Sequence, residues 1–452
     1  MDSFWKKEEK EIVIHENGRM NVVESCVTRH AALQPEKLAF VFESNKGIAR
    51  YSYGKLRDEM NKFANLLNKL NCRKRSRIFI FLPKVPELYV SFLGTLAHGS
   101  IVCPLFEAFQ SEGLMLRLKR GEANVLVTNK ELSLRLPKNL KKIIPSLKKI
   151  IIVDSPEFKK EMQKSSSKFE PFLLDKKDTA LLMFTSSTAG TPVAGIEISH
   201  YGLVQQHFTA KLVLDLNSED KFWCTAHPGW VTGTVYGILA PLSVGCTSYV
   251  LEKHFEAPDW INFLKRNKIS VIYTAPTALR MLKNEIKRED LANVRQICSI
   301  GEALTKATFD YYLKLGKWVN DTYWQTETGA IVIANFKNNR KKYSIGKPIP
   351  GIIANIRNKA IVMKPEWPAM MTGIYKHHKM YSEYFKNKWF STKDLARKDK
   401  EGFFFFESRE DDIIKTSGER VSPLEIESAL MAHPAVKEAA VIGIPHDIKG
   451  QI

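Results

Sequence analysis

The stretch RIFIFLPKVPELYVSFLGTLAHGSIV, residues 77–102, decides the fold class. Its opening residues, 77–82, form an apolar run of strand length. Residues 87–96 read as a helix, and residues 100–102 begin a second strand. Strand, helix and strand in that order build a parallel sheet with helices on its faces. Residues 88–106 contain no Asp, Glu, Lys or Arg and are long enough to tempt a membrane reading. Gly94, His98, Gly99, Ser100 and Pro104 break the run, so a helix ending near His98 and a short strand fit better.

Outward from this unit the pattern repeats. Leu56, Met60, Phe63, Leu66 and Leu67 recur at helical spacing over 53–70. Residues 123–127, 149–153, 270–273 and 296–299 read as strands, and 259–267, 277–286 and 306–315 as helices. The centre of the chain is therefore α/β, with switch points between strand and helix where ligands bind. At 452 residues the chain is too long for one core and implies subdomains. Near residue 390 the texture changes: 389–392, 402–406 and 411–415 are short strand-like pieces, 423–432 a helix and 436–442 a strand. The expectation is a large multi-subdomain N-terminal domain over 1–410 and a partial small α+β C-terminal domain over 411–452.

Charge and cysteine usage narrow the function classes. Lys and Arg exceed Asp and Glu by 68 − 49 = 19, which suits polyanionic substrates as well as nucleic acid or a membrane surface. The lysines fall in short clusters without a basic tail or a nucleic-acid module, so neither nucleic acid nor membrane is expected as a partner. Residues 222–251 are also uncharged, but Pro228, Gly229, Gly233, Gly237, Pro241 and Gly245 divide them into pieces unsuited to lipid. Six scattered cysteines without Cys-x-x-Cys spacing point to a reducing, cytoplasmic setting. Oligomeric state is not legible.

Two segments carry chemistry. FTSSTAGTP, residues 184–192, is a hydroxyl- and glycine-rich loop directly after the apolar run 180–184, with Thr185, Ser186, Thr188 and Gly190 available to phosphate oxygens. It does not match the G-x-x-x-x-G-K-[ST] phosphate loop. DTYWQTETG, residues 321–329, packs aromatics, hydroxyls and a carboxylate ahead of a glycine. A threonine there can bond a phosphate while the next carboxylate holds Mg²⁺, which prefers oxygen ligands.

Taken together with GWVTG (229–233), YTAPTALRML (273–282), SIGKPIPG (344–351) and DDIIKTSGERVSPLEIE (411–427), these segments resemble the adenylate-forming superfamily in chain order, and within it the AMP-forming acetyl-CoA synthetases. The resemblance covers essentially the whole chain. It implies an adenylate-forming α/β fold, with ATP, Mg²⁺ and CoA as cofactors and acetate or another short acid as substrate. The acid would first become an acyl-adenylate and then a CoA thioester. It further implies that Thr326 meets the α-phosphate, Glu327 places Mg²⁺, and Gly301, Glu302, Asp321, Thr322 and Gln325 surround the nucleotide. Asp394 and Arg409 would hold the ribose, Arg420 the phosphates, and Gly418 would flank the CoA tunnel. Asp411 would be the hinge. Val231, Thr232, Ile300 and Trp324 would enclose the acyl group, the indole favouring acetate.

The sequence departs from that pattern at several positions. Ser187 replaces a glycine of the phosphate loop, and Thr191 and Val193 replace its two lysines. Ala303 stands for an adenine-pocket proline. Lys393 and Ser408 replace the glycines before Asp394 and Arg409. Segment 355–364 looks shorter than its usual counterpart. Chains of the family also run on to a Pro-Lys-Thr-x-Ser-Gly-Lys-like segment whose lysine assists adenylation. This sequence ends before it, so slow adenylation is expected beside surviving thioester formation. A remnant that binds nucleotide or a partner without turnover stands as the alternative reading.

Overall fold

The computed structural model describes residues 2–452 except 186–192, 411, 413, 417, 418, 422, 432, 434, 437 and 447–449. Two large sheets dominate. The first runs Gly373–Ile374, Gly195–Ser199, Thr179–Phe184, Ile101–Leu105, Arg77–Phe81, Val125–Thr128 and Lys149–Ile152. Its last five strands are parallel and the first two antiparallel. The 77–102 unit sits at its centre, joined by the helix Pro86–Ala97. That helix is buried from Leu88 to Ala97, packed on the helix Tyr53–Lys69, and its one charge, Glu87, stands in the first turn ahead of the buried stretch.

The second sheet runs Lys347–Pro348, Ile333–Ala334, Val319–Tyr323, Gln296–Ser299, Val271–Thr274, Lys221–Cys224, Thr247–Glu252, Leu38–Ser44 and Gly47–Ser52. The six strands from Val319–Tyr323 to Leu38–Ser44 are parallel. A single apolar cluster unites the facing sides of both sheets, including Phe40, Tyr89, Phe92, Phe222 and Tyr273. Burial of such large side chains is the main favourable term holding the two sheets together.

A third sheet comprises Ala354–Arg357, Ala360–Met363, Trp389–Lys398, Phe385–Lys386 and Phe404–Arg409. A last sheet pairs Glu419–Val421, Ile414–Thr416, Gly450–Gln451 and Pro445–His446. The boundary expected after residue 410 lies between the strands Phe404–Arg409 and Ile414–Thr416, and hinge Asp411 is outside the described residues. The helix expected over 277–286 is shorter, Pro276–Leu282. The strand expected over 436–442 is not present among the described residues there. Ile442 is exposed and the Val441 N–H is donated to Glu427 Oε1 at 3.0 Å. An apolar run forms a strand only where a neighbouring edge takes its backbone groups.

Candidate active site

Both parallel sheets end on one cavity of about 1450 Å³. Ligands of open parallel sheets bind beyond the carboxyl ends of the strands, and here the ends converge. Lys84 follows Arg77–Phe81, Phe106 and Glu107 follow Ile101–Leu105, and Thr185 follows Thr179–Phe184. From the second sheet come Thr225 to His227 after Lys221–Cys224, Ile300 to Ala303 after Gln296–Ser299, and Trp324 to Glu327 after Val319–Tyr323. The third sheet closes the cavity with Asp394 and Arg409, which face each other across an antiparallel pair.

Thr185, Val231, Thr232, Ile300, Gly301, Glu302, Asp321, Thr322, Trp324, Gln325, Thr326, Glu327, Asp394 and Arg409 all line this space. Ser186, Thr188, Gly190 and Gly418 lie outside the described residues. Arg420 is on the strand Glu419–Val421.

A hydrogen-bond relay fixes the aromatic wall. The Trp324 indole N–H donates to Tyr273 Oη at 3.0 Å, which bonds Thr322 Oγ1 at 2.8 Å, and that hydroxyl donates to the Ser299 carbonyl at 2.7 Å. Tyr236 meets the indole edge-on at 5.2 Å. Nothing in the spacing of the sequence announces Tyr273, although it stands at a strand's carboxyl end within YTAPTALRML. Tyr273→Phe should cost about 1–3 kcal/mol, because it leaves a buried indole N–H without an acceptor. Urea melts of the two proteins check this, and equal midpoints would contradict it.

From the third sheet, Asp394 accepts from Tyr323 Oη at 2.7 Å and from Gln325 Nε2 at 2.6 Å. Burial raises its carboxyl to about 6 despite these donors and nearby Arg409. Gln325 Oε1 is buried with no donor among the described residues. Glu327 Oε1 accepts from Tyr384 Oη at 3.0 Å. Glu302 is turned aside: its carboxylate accepts from the Thr277 N–H and from Arg280, both at 3.2 Å, and so caps the helix Pro276–Leu282. His227 ties the two sheets at the cavity floor. The Gly229 N–H donates to its Nδ1 at 2.8 Å, so its Nε2 carries the proton and donates to the Leu82 carbonyl at 3.0 Å. Burial, reinforced by Lys84, holds its pKa down at about 3.

Asp321 gives a pH-dependent stability. Burial raises its carboxyl from 3.8 to about 7, against the Ser299 hydroxyl that donates to it at 2.8 Å. The folded state thus holds a proton that the unfolded state releases near pH 4. Its contribution is full below that pH, falls as pH rises through 7, and spans roughly 4 kcal/mol at most. Asp321→Asn should flatten the stability profile between about pH 4 and 7, read from midpoints at several pH values. An unchanged slope would refute the assignment.

The departures from the family pattern separate physically. Lys393 holds φ 61, a left-handed backbone that favours glycine. Ser408 pairs with Leu395 beside a shift of strand register and, unlike Lys393, does not have positive φ. Val193 is buried in the apolar cluster around Phe79, Leu182 and Phe184, so its side chain faces the core and not the cavity.

Among the described residues no helix is long and apolar enough to cross a membrane. The AMP-binding enzyme family matches residues 27–369, and the AMP-binding enzyme C-terminal domain matches residues 425–452. An acetyl-coenzyme A synthetase of Bacillus subtilis (strain 168) is 37% identical, covering 96% of this chain and 80% of its own length. One from Methanothrix thermoacetophila is 33% identical, covering 96% and 74%. Among solved structures, an acyl-CoA synthetase of Brucella canis superposes with a TM-score of 0.84 at 25% identity, covering 99% of this chain and 85% of that one. The anthranilate CoA ligase AuaEII, in complex with anthranoyl-AMP, shares the fold at a TM-score of 0.86 and 24% identity, covering 96% and 86%. With fold, cavity and relatives in agreement, the chain belongs to the AMP-binding enzyme family, as an acid–thiol ligase that works through an acyl-adenylate.

Proposed function

We propose that this ligase activates acetate, or another acid nearly as short, with ATP and passes the acetyl group to CoA. The observation that carries the choice of acid is Trp324. Its indole is buried and pinned by Tyr273 and Tyr236, so it cannot swing away to admit a longer chain. Val231, Thr232 and Ile300 line the same cavity, and Ile300 narrows it by one methylene relative to the valine expected there.

In the first half-reaction a carboxylate oxygen of the acid attacks the α-phosphorus, and the bond to the pyrophosphate oxygen breaks. In the second, the CoA sulfur attacks the acyl carbon, the thiol proton is lost, and AMP leaves with the bridging oxygen. The first step needs positioning and charge neutralisation more than covalent help from the protein. Thr326 offers a hydroxyl to the α-phosphate. Asp394, held by Tyr323 and Gln325, and Arg409 receive the ribose hydroxyls. Asp321 and Thr322 back the adenine wall beside Gly301 and Glu302, and Thr185 offers its hydroxyl to the phosphates, the role the sequence also suggests for Ser186, Thr188 and Gly190. Arg420 approaches the phosphate end, Gly418 flanks the CoA path, and Asp411 is the hinge between the two halves of the cycle.

Mg²⁺ commonly takes only one or two carboxylates, the rest of its shell being water and phosphate oxygens. Glu327, a single carboxylate oriented by Tyr384, fits that demand, and when bound the ion would neutralise phosphate charge.

The test is competition. Purified protein is given ATP, CoA and equimolar acetate, propionate and butyrate, and the thioesters are resolved by mass. Acetyl-CoA should dominate over butyryl-CoA by about 10-fold or more, each unhoused methylene costing ~1–3 kcal/mol. Butyryl-CoA in excess would defeat the proposal.

A further inference from the structure

Lys393 stands in a backbone conformation that residues with side chains rarely adopt, φ 61, and does so in the lining of the cavity. Strain at such a place persists only where the surroundings enforce it, and it is a reason to look for a use of the side chain. The enforcement is visible. Thr392 Oγ1 accepts from the Asp394 N–H at 3.1 Å, and the Lys393 carbonyl accepts from the Glu410 N–H at 2.9 Å. These bonds hold the backbone on both sides of Lys393 and keep Asp394 in place.

The side chain lies over the ring of Tyr384, with Nζ 5.4 Å from the ring centroid. Tyr384 stacks on Phe390 and gives its hydroxyl to Glu327. The ammonium therefore rests one aromatic ring away from the carboxylate assigned to Mg²⁺. Among the described residues no carboxylate forms an ion pair with it. Its neighbour Asp394 is engaged by Tyr323 and Gln325.

An ammonium on a flexible stem, parked on an aromatic face in the lining of the proposed ATP cavity, is suited to meet phosphate oxygens as a point charge. The need for one is also visible. The loop after Thr185 brings no cation of its own: residues 185–194 contain neither Lys nor Arg, and Val193 is turned into the core.

We propose that Lys393 is a phosphate-binding residue of this site, contacting the phosphates of ATP and standing in for charge that the loop after Thr185 does not supply. This rests on the reading of the cavity as an ATP site. A glycine at 393 would relax the backbone but forfeit the contact, so strain and function can be separated by substitution.

The experiment is titration calorimetry of the purified chain with Mg²⁺–ATP and, separately, with adenosine, for the unmodified protein and for Lys393→Gln, Lys393→Gly and Lys393→Arg. Loss of a charge-assisted contact should weaken ATP binding about 10-fold or more in the Gln and Gly variants, while adenosine changes less than about 2-fold. Lys393→Arg should stay within about 3-fold for ATP. Raising salt should weaken ATP binding more in the unmodified protein than in Lys393→Gln. ATP affinity unchanged in both Gln and Gly variants overturns the proposal. So does an equal loss for ATP and adenosine, which would make Lys393 merely a support for Asp394. If the unmodified chain binds neither ligand, the ATP-site reading falls and this proposal with it. Binding in the unmodified protein but no difference among variants removes this proposal alone. Melting curves confirm folding, and Lys393→Gly, which suits the backbone, carries the comparison should Lys393→Gln fail to fold.

Discussion

Trp324→Gly is expected to turn the enzyme from acetate toward acids of four to six carbons. The indole, proposed above to fill the end of the acyl pocket, is 6% exposed, with its N–H bonded to Tyr273 and its ring against Tyr236. Its removal leaves an apolar space that methylenes fill at about 0.8 kcal/mol each, so four of them give ~3 kcal/mol, or about 100-fold in kcat/KM. Acetate should lose about 10-fold or more, since its methyl group would no longer meet a wall. Tyr273 keeps a partner in Thr322, so the strand ends beneath the pocket are not left wholly unpaired. Deleting so large a buried side chain still costs about 3–5 kcal/mol of stability, and assays belong at low temperature with folding checked. Rates for acetate, butyrate and hexanoate decide the matter. Unchanged preference in a folded variant would show that another residue closes the pocket.

How much of this was readable beforehand depends on the range of the interaction. The 77–102 unit was legible because strand and helix periodicities are local, and the observed elements Arg77–Phe81, Pro86–Ala97 and Ile101–Leu105 follow them closely. The failure at 436–442 has the opposite cause: strand formation needs a partner edge, and no local pattern encodes one. The same division holds in the cavity. Residues inside short motifs, such as Thr326 and Glu327, could be named from the sequence. Tyr273, Tyr384 and His227 could not, because they act through contacts with Trp324, Glu327 and Leu82 far along the chain. The two glycine replacements looked alike in sequence, yet only Lys393 has the left-handed backbone. Val193 read as a lost phosphate lysine, whereas its burial shows a core position. The reading of a remnant without turnover finds no support among the relatives.

Gly329→Ala should abolish the folded enzyme or nearly so, and Gly301→Ala should not. Both glycines have positive φ, +68 and +98, so each alanine incurs roughly 1 kcal/mol of backbone strain. They differ in their surroundings. A Cβ on Gly301 meets nothing within 4 Å, whereas one on Gly329 would lie 1.8 Å from the Ala369 carbonyl oxygen. Relief would require moving the 367–371 segment, and that segment is bound at several points. Trp367 Nε1 donates to the Thr328 carbonyl at 3.0 Å, the Ala369 N–H to Gln205 Oε1 at 3.3 Å, and the Met371 N–H to the Glu327 carbonyl at 3.0 Å. Gln206 Nε2 in turn holds the Gly329 carbonyl at 3.1 Å. Separation of the two segments therefore breaks several buried hydrogen bonds and shifts Glu327 with them, for a total beyond about 4 kcal/mol. Soluble yield and thermal midpoints of the two variants, followed by thioester formation wherever a folded sample exists, provide the comparison. A Gly329→Ala protein that melts and turns over like Gly301→Ala would mean that the 367–371 segment can yield, and that the close contact is not what fixes Glu327.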